Sequence, residues 1–157
     1  MIMFKWYRKK QRVVLDDKIV VGWREWCDLP RLNLPKMKVK IDTGARTSAL
    51  HAFNIEPFIK DNKKMVRFDV HPIQGNDEYS VHCETELVDR RLVTSSNGET
   101  ELRCVIKTTC HIGKRAWKIE LTLTNRSSMR FRMLLGRKAM KRHAIVDPGS
   151  SFLQGVK

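Results

Sequence analysis

An all-β sandwich or barrel is the fold class that this sequence predicts, and three observations lead to it. Apolar and polar residues alternate at period two in several runs, as in Met37-Lys38-Val39-Lys40-Ile41 and from Trp117 to Leu123. The runs are short and are closed by turn residues, among them Asn97-Gly98, Gly113-Lys114 and Asp147-Pro148-Gly149. Arg137 to Arg142 is the one stretch expected to be a short helix, so the strand–helix–strand alternation of a parallel α/β sheet is missing.

In chain order, Lys18 to Arg24 reads as a strand with Gly22 inside it, and Asp28 to Pro35, with its two prolines, reads as a loop. Met37 to Ile41 is a strand with one buried face that runs directly into Asp42. Met65 to His71 and Glu78 to Leu87 form a hairpin through a long loop, Pro72 to Asp77. Arg91 to Ser95 and Glu101 to Cys110 flank Asn97-Gly98, the dipeptide that best tolerates the positive φ of a tight hairpin. His111 to Arg115 turns the chain into the strand Trp117 to Leu123, whose Trp117 faces inward by alternation. Phe131 to Leu135 is a short apolar strand ending at Gly136, and Ala144 to Val146 closes the series.

The chain has 157 residues and a net charge of +14. A surface this basic attracts anions, whether nucleic acid, an anionic membrane or an acidic polypeptide. No apolar run reaches the length of a membrane span. Residues 1–17 read as a basic tail without the apolar core of a signal peptide, and residues 18–157 as one domain, which gives a cytoplasmic expectation. The four cysteines, Cys27, Cys83, Cys104 and Cys110, read as small buried thiols on strands. They include no Cys-x-x-Cys, and no His-Glu-x-x-His is present, so no metal site and no cofactor are expected.

Asp42 is the chemical landmark. It ends an apolar strand and is followed at once by Thr43-Gly44-Ala45, while a second apolar strand ending in glycine, Met133-Leu134-Leu135-Gly136-Arg137, comes late in the chain. The tripeptide alone reads as a turn. Its surroundings resemble the retropepsin-like aspartic peptidases, and in particular a bacterial branch whose members carry the label ATP-dependent zinc protease. The resemblance rests on Val21-Gly22-Trp23-Arg24-Glu25, on the block Lys40 to Ala52, on Asp89-Arg90-Arg91, on Ile119 to Arg126, and on Met133 to Arg137. It covers Val20 to Phe152. Neither a glycine-rich ATP loop nor a zinc motif accompanies that label here.

The resemblance implies a closed retropepsin-like β-barrel, with an extra hairpin in an insertion over roughly Asn54 to Val88 and one short helix after Gly136-Arg137. It also implies an aspartic endopeptidase acting as a homodimer, because the chain holds one Asp-Thr-Gly and two must meet. Asp42, Thr43 and Gly44 would form each half of the catalytic site. Two adjacent carboxylates share one proton; one takes a proton from the attacking water while the other donates to the scissile carbonyl. Thr43 would hydrogen-bond across the dimer axis, and Ala45 would lie along the peptide. Gly136 and Arg137 would support the loop from behind, and Asn97 and Gly98 would mark the tip of a flap. Arg46, Arg90 and Arg91, near the cleft and the flap base, suit carboxylate recognition. Since the branch is associated with ligases that add glutamate, the implied substrate is an acidic or glutamylated polypeptide. Two alternatives stay open: a zinc-dependent peptidase, and a nucleic-acid-binding module that uses the basic charge and tryptophans.

Overall fold

A computed structural model describes residues 18–155. The basic tail expected over residues 1–17 lies outside them. The chain is mainly β, and six of its strands close into a mixed barrel. They are β2 (Arg24–Leu29), β3 (Leu34–Ile41), β4 (Ser48–His51), β9 (Thr100–Ile112), β10 (Arg115–Thr124) and β11 (Met133–Leu135). The hydrogen-bonded order is β10-β4-β11-β3-β2-β9, returning to β10. Strand β11 lies between β3, to which it is parallel, and β4, to which it is antiparallel. Closure leaves these six strands no free edge.

Alternation places the core. On β3, Met37 and Val39 point inward and are fully buried, while Lys36 and Lys40 are exposed. Leu29, Leu50, Ile106, Leu121, Leu123, Met133 and Leu135 fill the same interior. Burying each such side chain contributes about 1.5–3 kcal/mol. All four cysteines are free and buried, in keeping with their reading as small buried thiols on strands. Cys27 and Cys110 face each other across β2 and β9 with their Sγ atoms 3.3 Å apart. Burial pushes the Cys83 thiol up to about 12.

Two smaller sheets flank the barrel. Strands β5 (Phe53–Lys60), β6 (Lys63–Val70) and β7 (Val81–Glu86) form an antiparallel sheet inside the expected insertion, with one strand more than the expected hairpin. The extra strand, β5, turns into β6 through Asp61 and Asn62, both at positive φ (52° and 62°), the backbone of a tight hairpin turn. Val66, Phe68, Val70 and Cys83 join this sheet to the barrel core. Strands β1 (Ile19–Val21) and β12 (Ala144–Val146) form a parallel pair.

The expected strand Lys18 to Arg24 is therefore β1 followed by a break at Gly22-Trp23, with Arg24 already the first residue of β2. The segment after β12 crosses the chain there: a Cβ on Gly22 would sit 2.2 Å from the Ser150 carbonyl oxygen. The fully buried Glu25 carboxylate holds the crossing, accepting backbone N–H groups from Gly22 (2.8 Å), Leu153 (2.9 Å) and Gln154 (3.0 Å). The expected Asp28–Pro35 loop is a compact 3-10 turn at Pro30–Leu32, and the helix α1 spans Arg137–Met140.

Strand β8 (Asp89–Thr94) pairs only with the first half of β9, outside the barrel closure. This hairpin is an arm. Its tip is tied by Ser95 and Gly98: the Ser95 N–H donates to the Glu99 carbonyl at 2.8 Å and Gly98 N–H to the Ser95 carbonyl at 2.9 Å.

Candidate active site

The parallel pair β3–β11 ends at Ile41 and Leu135, which are register partners. Asp42 leaves the sheet at that point with its N–H still donating to the Leu135 carbonyl at 2.9 Å, so the carboxylate begins from fixed backbone. The following turn closes with Ala45 N–H on the Asp42 carbonyl at 3.3 Å, and Gly44 N–H donates to Asp42 Oδ1 at 3.0 Å. Asp42 is half-buried, while Thr43 and Gly44 are exposed.

The late Gly136-Arg137 segment straps this loop from behind. Arg137 N–H donates to the Ala45 carbonyl (2.8 Å), Lys138 N–H to the Arg46 carbonyl (3.0 Å), and Arg137 Nη1 to the Thr43 carbonyl (3.0 Å). Gly136 N–H donates to Ser48 Oγ at 3.0 Å. A Cβ on Gly136 would lie 2.7 Å from the Thr47 carbonyl carbon and oxygen. Only a glycine lets the two backbones pass this closely.

Asp42 opens onto a groove of about 1030 Å³ between its own loop, the β8 arm from Arg91 to Ser96, and the loop from Arg126 to Phe131. Seven cationic side chains line it (Lys40, Arg46, Arg91, Arg103, Arg126, Arg130 and Lys138) against one carboxylate, Asp42. Trp23 and Phe131 supply an apolar corner, packed edge to face with ring centres 5.9 Å apart.

The cations differ in freedom. Arg91 is fully committed: Nε donates to Asp89 at 2.7 Å, and Nη1 and Nη2 to Glu120 at 2.6 and 3.4 Å. Arg91 and then Lys138, both hydrogen-bonded to it, hold Glu120 down at about 2. Arg103 is buried, with Nε on Glu101 at 3.0 Å and Nη1 on Thr122 Oγ1 at 3.3 Å. Lys40, Arg46, Arg126 and Arg130 form no ion pair among the described residues. Arg126 is placed by its backbone N–H, which donates to His51 Nδ1 at 3.1 Å. That ring nitrogen must be unprotonated to accept, and burial followed by the Arg132 charge lowers the His51 pKa in keeping.

Asp42, Gly44, Ala45, Arg46 and Arg91 thus meet at one groove. Arg90 is exposed on β8, and Asn97 and Gly98 stand at the arm tip; none of these three lines the groove. Lys40, Arg103, Arg126 and Arg130 line it without having been singled out from sequence. The available signals were Lys40 at the start of the Lys40–Ala52 block and Arg126 at the end of the Ile119–Arg126 block. Among the described residues, no group of three or more His, Cys, Asp or Glu side chains is arranged to hold a metal ion. No helix among them is long and apolar enough to cross a membrane.

Comparison with known proteins adds three findings. A family model described as the RimB-like retropepsin-like aspartic endopeptidase matches residues 20–157. Relatives named probable alpha-L-glutamate ligase, from Shewanella pealeana and Parasynechococcus marenigrum, are 49% and 47% identical over 90% and 88% of this chain. The chain spans 31% and 30% of those relatives' length. A solved structure of a Legionella pneumophila protein of unknown function aligns with a TM-score of 0.69 at 30% identity, over 87% of this chain and 98% of that one.

Proposed function

Because the chain belongs to the RimB-like family of retropepsin-like aspartic endopeptidases, we propose that two copies of it form one peptidase site acting on acidic, glutamate-bearing polypeptides. The observation that carries this reading is the Asp42 loop, strapped to Gly136-Arg137 and opening on a groove with seven cations and one carboxylate.

In the proposed dimer, Asp42 and the partner subunit's Asp42 hold one proton between them, because two adjacent carboxylates cannot both ionise cheaply. The ionised oxygen takes a proton from water as the water oxygen bonds to the scissile carbonyl carbon. The protonated carboxyl gives its proton to the carbonyl oxygen. Collapse of the tetrahedral adduct breaks the C–N bond, and the amine leaves with a proton returned from the pair. Gly44 N–H fixes the carboxylate's direction, and the arm of β8 and β9 covers the groove and excludes water.

The guanidinia of Arg46, Arg126 and Arg130, which have no ion-pair partner among the described residues, suit bidentate carboxylate binding. The name borne by the relatives, glutamate ligase, supports a substrate carrying added glutamate: this barrel would hydrolyse the kind of bond that a ligase makes. The same name favours one other reading, in which the barrel holds a glutamylated chain without cutting it.

Asp42→Asn separates the two. The exchange keeps shape and removes the proton-accepting oxygen pair. Hydrolysis of a glutamate-rich peptide should fall by about 10³-fold or more, with fold, dimer and peptide binding retained. Activity should persist in strong chelators and rise with protein concentration through dimer formation. Turnover that is lost on chelation and restored by zinc would refute the two-carboxylate chemistry.

A further inference from the structure

A second concavity, of about 300 Å³, lies on the outer face of β9 and β10 beside the Asp42 groove. Lys118, Glu120 and Thr122 of β10 and Lys107 of β9 line its sheet side, and Lys138 and Ala139 of α1 line the other. Thr47, Arg91 and Lys138 line both cavities, so the two adjoin along that ridge.

The ridge is an ion-pair bridge in which Glu120 receives Arg91 at 2.6 Å and Lys138 at 3.3 Å. These partners keep Glu120 ionised down to about 2, so the bridge persists at neutral pH. Beyond it, Lys107 and Lys118 form no ion pair among the described residues. His143 lies flat against Trp117 with ring centres 4.8 Å apart, and burial first, then Arg115 and Arg142, lowers its pKa. It lends the pocket a ring rather than a charge. Four cations therefore face one already neutralised carboxylate.

We propose that this pocket is an exosite that grips the acidic segment of the substrate lying beyond the bond to be cut. The proposal rests on the reading of the Asp42 groove as a cleft for anionic peptides. An extended chain leaving that groove past Thr47 and Lys138 enters the pocket directly. Along an extended chain, alternate side chains fall on one side about 7 Å apart, so a glutamate run offers the lysines one carboxylate after another. Thr47, Ser48 and Thr122 add hydroxyl-bearing side chains to the lining. The lining holds one ring, the His143 imidazole, with one face covered by Trp117, and it lacks the succession of aromatic faces on which bases stack, so an acidic peptide fits it better than a nucleic acid.

The test uses glutamate-rich peptides of about six and about sixteen residues, which reach ~20 Å and ~50 Å when extended. Each is cleaved by the wild type, by Lys107→Ala with Lys118→Ala, and by Lys60→Ala with Lys63→Ala. The last pair removes the same charge from the exposed tip of the β5–β6 hairpin. The pocket variant should lose about three- to tenfold in kcat/KM on the long peptide, chiefly through KM, and less than about twofold on the short one. The control variant should lose less than about twofold on both. Equal losses on the two lengths, or in the two variants, would overturn the exosite. Binding of the labelled peptides to Asp42→Asn, read by fluorescence anisotropy, separates the pocket from the chemistry. If neither peptide is cut yet the long one still binds through Lys107 and Lys118, the exosite stands and the peptidase reading falls. If an oligonucleotide binds through those lysines more tightly than the long peptide does, the occupant is nucleic acid and the proposal is overturned.

Discussion

Replacing Gly136 by alanine tests the link between backbone packing and chemistry. The φ and ψ of Gly136 are −90° and 174°, values that alanine adopts freely, so torsional strain contributes nothing. The cost comes from contact alone. The new methyl would meet the Thr47 carbonyl carbon and oxygen at 2.7 Å and the Ala45 carbonyl oxygen at 3.0 Å, all of them backbone atoms that cannot rotate away. The loop from Asp42 to Thr47 must then separate from α1 by roughly 1 Å to restore an ordinary contact distance. Overpacking of this kind costs about 1–3 kcal/mol, which for a chain of this size lowers Tm by about 4–8 °C at the middle of that range. The displaced segment also carries the Asp42 carboxylate, and a shift of about 1 Å at a reacting group costs roughly 10²-fold in rate. Ser48→Ala serves as the comparison: it leaves Gly136 N–H without its buried acceptor, costing about 1–3 kcal/mol without driving the loop outward. Thermal unfolding and kcat on one acidic peptide should show similar stability losses, with a much larger rate loss for Gly136→Ala. A Gly136→Ala enzyme with wild-type kcat would refute the claim that this contact sets the position of Asp42.

Other outcomes follow from the same geometry. His51 and His143 both have lowered pKa values in the folded chain, so the unfolded chain binds protons more readily below about 6.5. Their contribution to stability is present above that value and is lost as pH falls below it; His51→Asn should flatten part of the fall in Tm between about pH 6.5 and 5. Glu25→Gln puts an amide donor against backbone N–H groups in a fully buried site, and chemical unfolding should show a loss of about 2–3 kcal/mol. Arg46→Ala should reduce kcat/KM about tenfold on a glutamate-rich peptide and less than about twofold on an alanine-rich one. For wild type, raising salt should narrow the preference for the acidic peptide without abolishing it.

The barrel was legible where strands keep one face wet. β3 and β10 alternate and were found over their alternating parts, Met37 to Ile41 and Trp117 to Leu123, while the strands themselves begin earlier, at Leu34 and Arg115. β4 was missed because all four of its residues, Ser48–His51, are buried and show no alternation. Pro57 obscured β5, being a residue that strands admit only at edges or bulges, and β5 is an edge strand. The break at Gly22 depends on Ser150, which no local pattern connects to it. In the groove, the Asp42 loop stood out because an acidic residue at a strand end followed by Thr-Gly is chemically distinctive. The arginines did not. Arg90 and Arg91 are neighbours on β8, but the groove takes in every residue from Arg91 to Ser96 and stops short of Arg90, so what separates them is where the arm begins to overlie the groove, which sequence does not print. Lys40 and Arg103 look like the polar half of two alternating strands until the groove is seen to face them.

The position of β11 also governs when the site can come into being. This strand is three residues long, close to the end of the chain, and it fills the gap between β3 and β4. Until Met133–Leu135 arrives, those two strands have no common neighbour, the barrel has a slot in its wall, and Asp42 lacks the Leu135 carbonyl and the Gly136-Arg137 strap. Pairing β11 with β3 closes a loop of about ninety residues, from Ile41 to Met133, for three residues of ladder, so the entropic cost comes before any sizeable reward. Folding is thus expected to be slow, with a rate set by the docking of β11. On a chain emerging from synthesis in order, an incomplete barrel holds no assembled Asp42 loop, and the hydrolytic competence proposed for it would appear only once the last strand of the barrel is in place.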